Sequence, residues 1–396
     1  MREKKKVLRN KSILLGVTGG VAAYKTVDLI RRLREEGVSV TVVMTEAAKK
    51  FVTPLSLEIA SQNKVYSDLF SDPLAHVSLP AHADIMVVAP ATANTIAKFA
   101  RGIADNFLCT CLLSFRGKTV IAPSMNWRMY EHPLFQENLQ NLLSRGIIQV
   151  GPERGSLACG EEGMGRMSEP PDIIEAIRTT LSSKDLAGEK VIVTAGPTRE
   201  YIDPVRFLSN RSSGKMGYAL ARAALRRGAE VTLISGPSVM RQPRGAKFVP
   251  VETAAEMFDA VNRELPLATV LVMSAAVSDF MPIEKAEEKI EKSEELLLRL
   301  CKTPDILLEV GKRKSKPFII GFAAETGDKI ERAKKKLLEK NMDMIIFNDV
   351  MVAGSGFDVD TNSVVILDRE GEISLPILSK DSVAESILDR LVQLKA

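Results

Sequence analysis

The sequence predicts two doubly wound α/β domains, each with a parallel sheet, and three observations lead to that fold class. Short apolar runs alternate with amphipathic stretches, which is typical of parallel sheets covered by helices. Several runs are apolar throughout and end in proline or polar residues, as buried parallel strands do. The pattern also begins twice, at "SILLGVTGG" (12–20) and at "EKVIVTAGPTREYID" (189–203). We therefore expect two domains, residues 1–182 and 183–396, with the polar segment 178–190 as their boundary.

In the first half, an apolar strand that ends in glycines is followed by an amphipathic helix, "VAAYKTVDLIRRLREEG" (21–37). Ala23, Val27 and Ile30 recur at helical intervals, and Gly37 is a typical helix end. Further apolar runs predict strands at 38–45, 83–90 and 117–125.

The second half repeats this order. It predicts helices at 216–228 and 254–265, a basic helix around 331–340, and strands at 229–237, 247–252, 269–280, 317–326 and 342–350.

Composition narrows the class of protein. The chain has 396 residues, and its net charge of +4 is too small to indicate a nucleic-acid partner. No run of about 18 apolar residues predicts a membrane span. The basic start resembles a signal peptide, but Gly16, Gly19 and Gly20 interrupt the apolar stretch, which favours strand, turn and helix. The four cysteines lack zinc-site spacing, which favours reduced thiols and a cytoplasmic location.

Three segments resemble nucleotide or metal motifs but do not match the consensus of those motifs. "GVTGGVAAYK" lacks the GxGxxG order of NAD sites, although its helix N-terminus remains a plausible phosphate site. "RSSGKMG" has Ser209 and Met216 where a P-loop needs glycine and Ser/Thr. "DVDTN" has Ser363 and Arg369 where a calcium loop needs glycine and glutamate.

Two strand ends predict one shared ligand site. "PATANT" (90–95) and "PSMN" (123–126) each place an asparagine after a buried strand, where open α/β sheets bind ligands. A plain N-capped helix is the alternative at Asn94. Spacing alone does not separate His76 from His82 as an active-site histidine.

"ACGEEGMGRM" (158–167) places Cys159 among glycines, a density that predicts a turning loop and neither helix nor strand. That thiol could be a metal ligand, a structural residue or a reactive group that moves onto a substrate.

These motifs together closely resemble the family of bifunctional coenzyme A biosynthesis proteins, over nearly the whole chain from about Val17 to Asp349. The motifs that carry the resemblance are H-x-x-L-x-x-x-A-D (76–84), PATANT, PSMN, ACGxxGxGRM, GPTRE (196–200), RFLSNRSSGKMG (206–217), AAVSDF (275–280), K-I-x-K (289–292) and GFAAET (321–326). The family joins a phosphopantothenoylcysteine decarboxylase to a phosphopantothenate–cysteine ligase.

For the first domain the resemblance implies an FMN-dependent decarboxylase. Cys159 matches the family's proton donor on a flap that closes over substrate, and His76 matches its active-site histidine. The expected substrate-binding residues are Asn94, Met125, Asn126, Gly163 and Arg166, and the flavin contacts inferred from strand ends are Gly19, Gly20, Thr45 and Thr92.

For the second domain the resemblance implies a CTP-dependent ligase that forms an acyl-cytidylate, which cysteine then attacks. Lys289 matches the nucleotide-phosphate lysine, with Lys292 as a helper, although Glu291 interrupts the family's more basic run. Asn210 matches the residue tied to amide formation. The other expected CTP contacts are Asp279, which is also the expected ligand of Mg²⁺ or Mn²⁺, Phe322 and Asn348.

The resemblance also implies an assembly and an order of reactions. First domains form trimers and second domains form dimers in the family, so we expect a large homo-oligomer with small-molecule substrates: 4′-phosphopantothenate, cysteine and CTP. Ligation precedes decarboxylation. Two rivals are a flavin-binding regulatory protein without catalysis and an unrelated NAD-dependent oxidoreductase. The paired His76 and Cys159 argue against the first, and the absent GxGxxG against the second.

Overall fold

The computed structural model describes residues 7–156, 160–292, 295–325, 330–349 and 359–396. The chain divides into two compact units between Ser182 and Ser183. Each unit is built on a mainly parallel sheet, which confirms the predicted fold class. Within the described ranges, no helix is both long enough and apolar enough to span a bilayer.

In the first unit one or two helices separate successive strands from Ser12–Val17 to Lys118–Pro123. Its strands are β1 Ser12–Val17, β2 Ser39–Met44, β3 Val65–Tyr66, β4 Ile85–Ala91, β5 Lys118–Pro123, β6 Ile148–Gln149, β7 Glu153–Ser156 and β8 Glu162–Arg166. Its helices are α1 Thr26–Glu35, α2 Pro54–Ser61, α3 Ala75–Ala81, α4 Ala93–Arg101, α5 Phe107–Ser114, α6 Trp127–Tyr130, α7 Pro133–Ser144 and α8 Pro170–Leu181, with a 3₁₀ turn, Val21–Lys25, ahead of α1.

The main sheet of this unit has the strand order β3-β2-β1-β4-β5-β6, and every pair is parallel. Helices cover both faces, because α1 and α8 pack in one apolar cluster and α5 and α7 in the other. The chain reverses direction across the sheet between β1 and β4. In a doubly wound fold, ligands bind beside that switch point, at the carboxyl ends of the strands.

The glycine-rich segment that was expected to be a loop is partly a strand, so that expectation was wrong. β8 pairs antiparallel with β7, with Gly155 opposite Gly163. The glycines serve close packing, since a Cβ on Gly163 would lie 2.5 Å from Cβ of Trp127. Residues 157–159, which include Cys159, lie outside the described residues.

The second unit starts its own sheet at β9 Lys190–Ala195. Its other strands are β10 Arg199–Tyr201, β11 Phe207–Ser209, β12 Glu230–Ser235, β13 Lys247–Pro250, β14 Val270–Met273, β15 Phe280–Pro282, β16 Leu300–Lys302, β17 Phe318–Glu325, β18 Met344–Asp349, β19 Thr361–Asn362, β20 Val364–Asp368, β21 Glu372–Ser374 and β22 Leu378–Ser379. Its helices are α9 Lys215–Arg226, α10 Ala254–Glu264, α11 Ile306–Gly311, α12 Ile330–Glu339 and α13 Lys380–Lys395.

The second sheet has the order β13-β12-β9-β14-β17-β18-β20-β21. Its first six strands are parallel and repeat the connectivity of the first sheet, whereas β20 and β21 add an antiparallel edge. The predicted strand 269–280 is wrong as one element. The sheet strand β14 ends at Met273, and β15 starts a separate hairpin with β16 at Phe280.

The polar segment 178–190 is more ordered than a linker. α8 continues to Leu181, and Arg178 pairs with Glu36. Beyond it, Leu186 is buried and Asp185 pairs with Arg227 at 2.7 Å. Ordinary packing therefore holds the chain on either side of Ser182.

Candidate functional site

A buried threonine joins the two strand ends at the switch point of the first unit. Thr18, one residue after β1, donates from Oγ1 to the carbonyl of Pro90 at 2.7 Å and accepts from the amide of Thr92 at 3.1 Å. Its side chain is fully buried. Thr18 therefore fixes the loop after β1 against the end of β4.

A cavity of about 920 Å³ opens at these strand ends, large enough for a drug-sized ligand or cofactor. It brings together eight of the predicted first-domain residues: Gly19, Gly20, Thr45, Thr92, Asn94, Met125, Asn126 and Arg166. These residues come from the ends of four strands and from the β7–β8 hairpin. The sequence predicts one shared site for segments 90–95 and 123–126, and residues of both segments line this cavity.

Glycine is required at two points of the cavity wall. A Cβ on Gly19 would lie 2.4 Å from Cβ of Ala47, in the loop after β2. A Cβ on Gly165 would lie 2.1 Å from the carbonyl oxygen of Met125, whose amide donates to Gly165 at 3.0 Å. Backbone therefore approaches backbone closely on both sides of the cavity.

The two asparagines occupy different helix starts. Asn94 is exposed in the first turn of α4, where the N-cap residue Thr92 makes no side-chain cap, so the alternative of a plain N-capped helix does not apply. The first amides of that helix adjoin the cavity, and such amides are donors for anions. Asn126 caps the short helix α6 by accepting from the amide of Arg128 at 2.9 Å.

Two predicted residues are not brought to this cavity by the described part of the chain. His76 lies in the first turn of α3, with Nδ1 buried and no protein hydrogen-bond partner for it, and its carbonyl accepts from Ser114. Gly163 packs against Trp127. His82, the alternative to His76, has Nδ1 within 2.7 Å of the carbonyl of Ser78.

Three cations line the cavity, and the sequence analysis identified only Arg166. Lys25 and Arg166 both contact Oε1 of Glu169, at 2.7 and 2.5 Å, and Lys98 pairs with Asp105 at 2.5 Å. The hydrogen bond from Lys25, helped by that from Arg166, lowers the pKa of Glu169 against the opposing effect of partial burial. The sequence offers one signal for Lys25: it ends the segment "GVTGGVAAYK", in the turn that follows the glycines of a strand end.

The buried thiols of α5 are unsuited to reaction chemistry. Burial raises the pKa of the Cys109 thiol, and it raises that of Cys111 to about 12. A nucleophilic or proton-donating thiol needs a pKa nearer neutrality. These two cysteines serve as small apolar core residues.

In the second unit, Asn210 lies against the segment that follows β14. Its side-chain amide donates to the carbonyl of Val277 at 3.0 Å, and a parallel bridge joins Pro197 to Ala276 just before it. The exposed Asp279 follows two residues after Val277. Asn210 therefore contacts the segment that leads from β14 to Asp279.

Lys289 is exposed on the irregular segment between β15 and β16. The next residue, Ile290, is held by the turn of the β10–β11 hairpin, through Asp203 and Arg206. The same hairpin leads directly into Asn210. One small hairpin thus contacts both the segment that carries Lys289 and the segment that precedes Asp279.

The remaining predicted residues are placed as follows. Lys292 is exposed on the same irregular segment as Lys289. Phe322 is half-buried in β17, and Asn348 is buried in the adjacent β18, where its Cα lies opposite Ala324. Across the described ranges, no group of three His, Cys, Asp or Glu side chains is arranged to hold a metal ion.

Comparisons with known proteins agree with this architecture. A family model described as "Flavoprotein" matches residues 1–182, and one described as "DNA/pantothenate metabolism flavoprotein C-terminal domain" matches residues 186–394. The coenzyme A biosynthesis bifunctional protein CoaBC of Vibrio cholerae is 45% identical over 390 residues, covering 96% of this chain and 98% of the relative. CoaBC of Bacillus subtilis is 44% identical over 398 residues, covering 98% of each chain.

A solved structure of the C-terminal domain of a CoaBC protein is 41% identical, covers 54% of this chain and 98% of its own, and has a TM-score of 0.47.

Fold, cavity and family models define a two-domain α/β protein whose first domain is of the flavoprotein class. With relatives at this identity along nearly its full length, the chain belongs to the family of bifunctional coenzyme A biosynthesis proteins. The resemblance drawn from the sequence motifs is thereby confirmed.

Proposed function

We propose that this chain catalyses two consecutive steps of coenzyme A biosynthesis. Residues 183–396 ligate 4′-phosphopantothenate to cysteine with CTP, and residues 1–182 decarboxylate the 4′-phosphopantothenoylcysteine formed to 4′-phosphopantetheine with FMN. The observation that carries the proposal is the cavity that gathers Gly19, Thr45, Thr92, Asn94 and Asn126 at the strand ends of a flavoprotein domain.

The cavity fits a flavin mononucleotide. Gly19 lets the loop after β1 approach closely, and the uncapped start of α4 offers amides to a phosphate. When bound, FMN would oxidise the substrate thiol to a thioaldehyde, and that thioaldehyde would be the electron sink that loss of carbon dioxide from the cysteine carboxylate requires. Lys25, Lys98 and Arg166 line the cavity and are the cations that balance anionic groups bound there.

The chain's own residues bind and protonate the substrate. Asn94 and Asn126 donate to its carboxylate and neighbouring groups, and Met125 packs beside them. Cys159 delivers the proton to carbon after decarboxylation, and His76 assists near the flavin. In the described part of the chain His76 is not among the residues that line this cavity, and its proposed role is met if another copy contributes it, in line with the trimer expected for first domains.

The ligase step relies on positioning and charge. Lys289, helped by Lys292, binds the phosphates of CTP while the carboxylate of phosphopantothenate attacks and pyrophosphate leaves. Asp279 would hold Mg²⁺ or Mn²⁺, and the ion would offset negative charge on the phosphates of CTP. Asn210 then stabilises the developing oxyanion as the amine of cysteine attacks, and Phe322 and Asn348 contact the base or sugar.

The first experiment is an absorption spectrum of the purified chain with mass analysis of what denaturation releases. A flavin spectrum and released FMN are expected. A colourless chain that also fails to take up added FMN would refute the decarboxylase half. Flavin binding without turnover of phosphopantothenoylcysteine would favour the regulatory alternative.

The ligase half is tested by CTP-dependent pyrophosphate release and by Lys289→Ala. We expect this variant to lose ligation and keep decarboxylation, because the charge it removes faces the nucleotide alone. Lys312→Ala is the control, because it removes an exposed lysine at the C-terminal end of α11. Ligation retained in Lys289→Ala would contradict the role, whereas loss of both activities together would instead point to misfolding.

Cys159→Ser tests the decarboxylase chemistry. The variant replaces the thiol with a hydroxyl of similar size that is a much weaker acid, so we expect it to bind flavin and substrate and to stall before the final product. Mass analysis of the bound material detects the unfinished species. Full turnover by Cys159→Ser would rule out the proton-donor role.

We infer two further properties from the family. The chain assembles into a homo-oligomer through trimeric first domains and dimeric second domains, which a native mass measurement tests. It works in the cytoplasm on small molecules, a location that fractionation of the producing cell tests.

A further inference from the structure

The segment that carries Lys289 depends on outside contacts for its position. Between β15 and β16 its described residues form neither helix nor strand. The amide of Ile283 donates to Arg299 at its base, and the amide of Ala286 donates to Ile202 at 2.9 Å. A lysine on such a segment can serve a reaction only if its backbone is fixed close by.

The backbone is fixed at Ile290, the residue after Lys289. One ion pair, Asp203–Arg206, binds both the amide and the carbonyl of Ile290. Its amide donates to Oδ2 of Asp203 at 3.3 Å, and its carbonyl accepts from Nη1 of Arg206 at 3.1 Å. The same Nη1 lies 3.1 Å from Oδ2 of Asp203. Asp203, Arg206 and the peptide groups of Ile290 thus form a closed set of contacts.

The contacts of Asp203 favour its anionic form. Its side chain is fully buried, and its other oxygen, Oδ1, accepts from the amides of Val205 and Arg206 at 2.8 and 2.7 Å. Burial alone would raise the pKa of Asp203, but these hydrogen bonds, that from Ile290 and the charge of Arg206 lower it. A buried carboxylate with every lone-pair direction used is a rigid anchor.

We propose that Asp203 is a positioning residue for the CTP-dependent ligase reaction, since it fixes the backbone beside Lys289 and so aims that lysine at the nucleotide phosphates. The inference rests on the proposed ligase function. Asp203 itself does not touch substrate in this proposal. Its effect passes through Ile290 to Lys289, one peptide bond away.

Asp203→Asn separates this role from the local turn. The amide oxygen can still accept from Val205 and Arg206, but the amide NH₂ then faces the N–H groups of Ile290 and Arg206. In either orientation of the amide, two N–H groups lose their acceptor. With the amide oxygen toward Val205 and Arg206, the hairpin turn keeps its bonds, and the amide of Ile290 loses its acceptor while its carbonyl still accepts from Arg206.

Asp368→Asn is a matched control in the same unit. Asp368 is also buried, its Oδ1 accepts from the amides of Glu370 and Gly371, and its Oδ2 accepts from an arginine, Arg390. Asp368 is the last residue of β20, and among the described residues its side chain contacts Glu370, Gly371 and Arg390 rather than Asn210 or the segment of Lys289. The same chemical change there removes an equivalent ion pair without touching the lysine segment.

The experiment uses the full chain and two readouts. Hydrogen–deuterium exchange by mass spectrometry follows peptides spanning 286–292, and pyrophosphate release follows ligation at varied CTP. For Asp203→Asn we expect exchange there to rise at least about tenfold and kcat of ligation to fall roughly 10- to 100-fold. Decarboxylation and the control variant should match the wild type.

The outcomes separate the inference from the ligase assignment. A wild-type chain without CTP-dependent pyrophosphate release refutes the assignment and the inference with it. An active wild type with unchanged exchange or unchanged kcat in Asp203→Asn refutes the inference alone, as does equal loss in Asp368→Asn. If Asp203→Asn does not fold, Asp203→Glu keeps the charge but displaces it, and the same two readouts then decide.

Discussion

Gly165→Ala tests whether the β7–β8 hairpin is locked onto the cavity wall. The new Cβ would lie 2.1 Å from the carbonyl oxygen of Met125, where a separation under 3.0 Å is essentially never found. The two backbones must therefore part by about 0.9 Å, the difference between these distances. Gly165 has no positive φ, so the clash and not backbone strain carries the effect.

The cost follows from what that shift breaks. Moving the strands apart removes the 3.0 Å hydrogen bond from the Met125 amide to Gly165, worth about 1 kcal/mol. Overpacking a buried site adds about 1–3 kcal/mol. The unfolding free energy of the first unit should fall by about 2–4 kcal/mol, and FMN should bind more weakly because Met125 and Arg166 both line the cavity.

The chain's single tryptophan, Trp127, provides the assay. It packs against the same hairpin at Gly163, so urea unfolding followed by its fluorescence reports on this contact. Gly155→Ala is the control, because a Cβ there meets no atom closer than 3.8 Å. An unfolding midpoint and an FMN affinity for Gly165→Ala equal to those of Gly155→Ala would refute the packing described.

Two further predictions concern the same site. Thr18→Val keeps the shape of the side chain but leaves the Pro90 carbonyl and the Thr92 amide without their partner. We expect about 1–3 kcal/mol of destabilisation, measured by thermal unfolding, and weaker FMN binding, measured by flavin titration. Unchanged values would contradict the link between the strand ends. Because its pKa is lowered in the fold, Glu169 contributes stability that is present above the ordinary value of 4.5 and lost as pH falls through the folded pKa. Glu169→Gln should therefore flatten acid unfolding of the first unit as the pH falls below the ordinary value of 4.5, and an unchanged acid profile would show that the ion pairs with Lys25 and Arg166 do not act in solution.

The sequence predicted the parallel strands and their helices well because hydrophobic periodicity is local. Runs such as 83–90 and 342–350 became β4 and β18 within a few residues. The prediction failed at 269–280 and at the glycine-rich segment, where tertiary contacts decide. Gly163 and Gly165 read as loop residues from propensity, but their missing side chains allow β8 to pack against Trp127 and Met125.

The candidate site was predictable where a motif marks a strand end and less so where a side chain acts through a neighbour. Asn94 and Asn126 follow apolar runs, and the structure places both at one cavity. Lys25 and Asp203 do not directly follow an apolar strand, and the partner of Lys25, Glu169, lies 144 residues away. The contact of Asp203 with Ile290 spans 87 residues, a distance that no local pattern encodes.

The strand order has a consequence for how the chain is synthesised. In each unit the first strand made ends up in the centre of its sheet, and one of its two neighbours comes much later: the bond from Ser12 to Asp84 spans 72 residues, and that from Lys190 to Thr269 spans 79. As the chain leaves the ribosome, β1 and β9 each wait with one edge open until that partner emerges. Long-range parallel pairing is slow and exposes strand edges. Expression at lower temperature with chaperones should therefore raise the folded yield of this protein more than changes to its surface would.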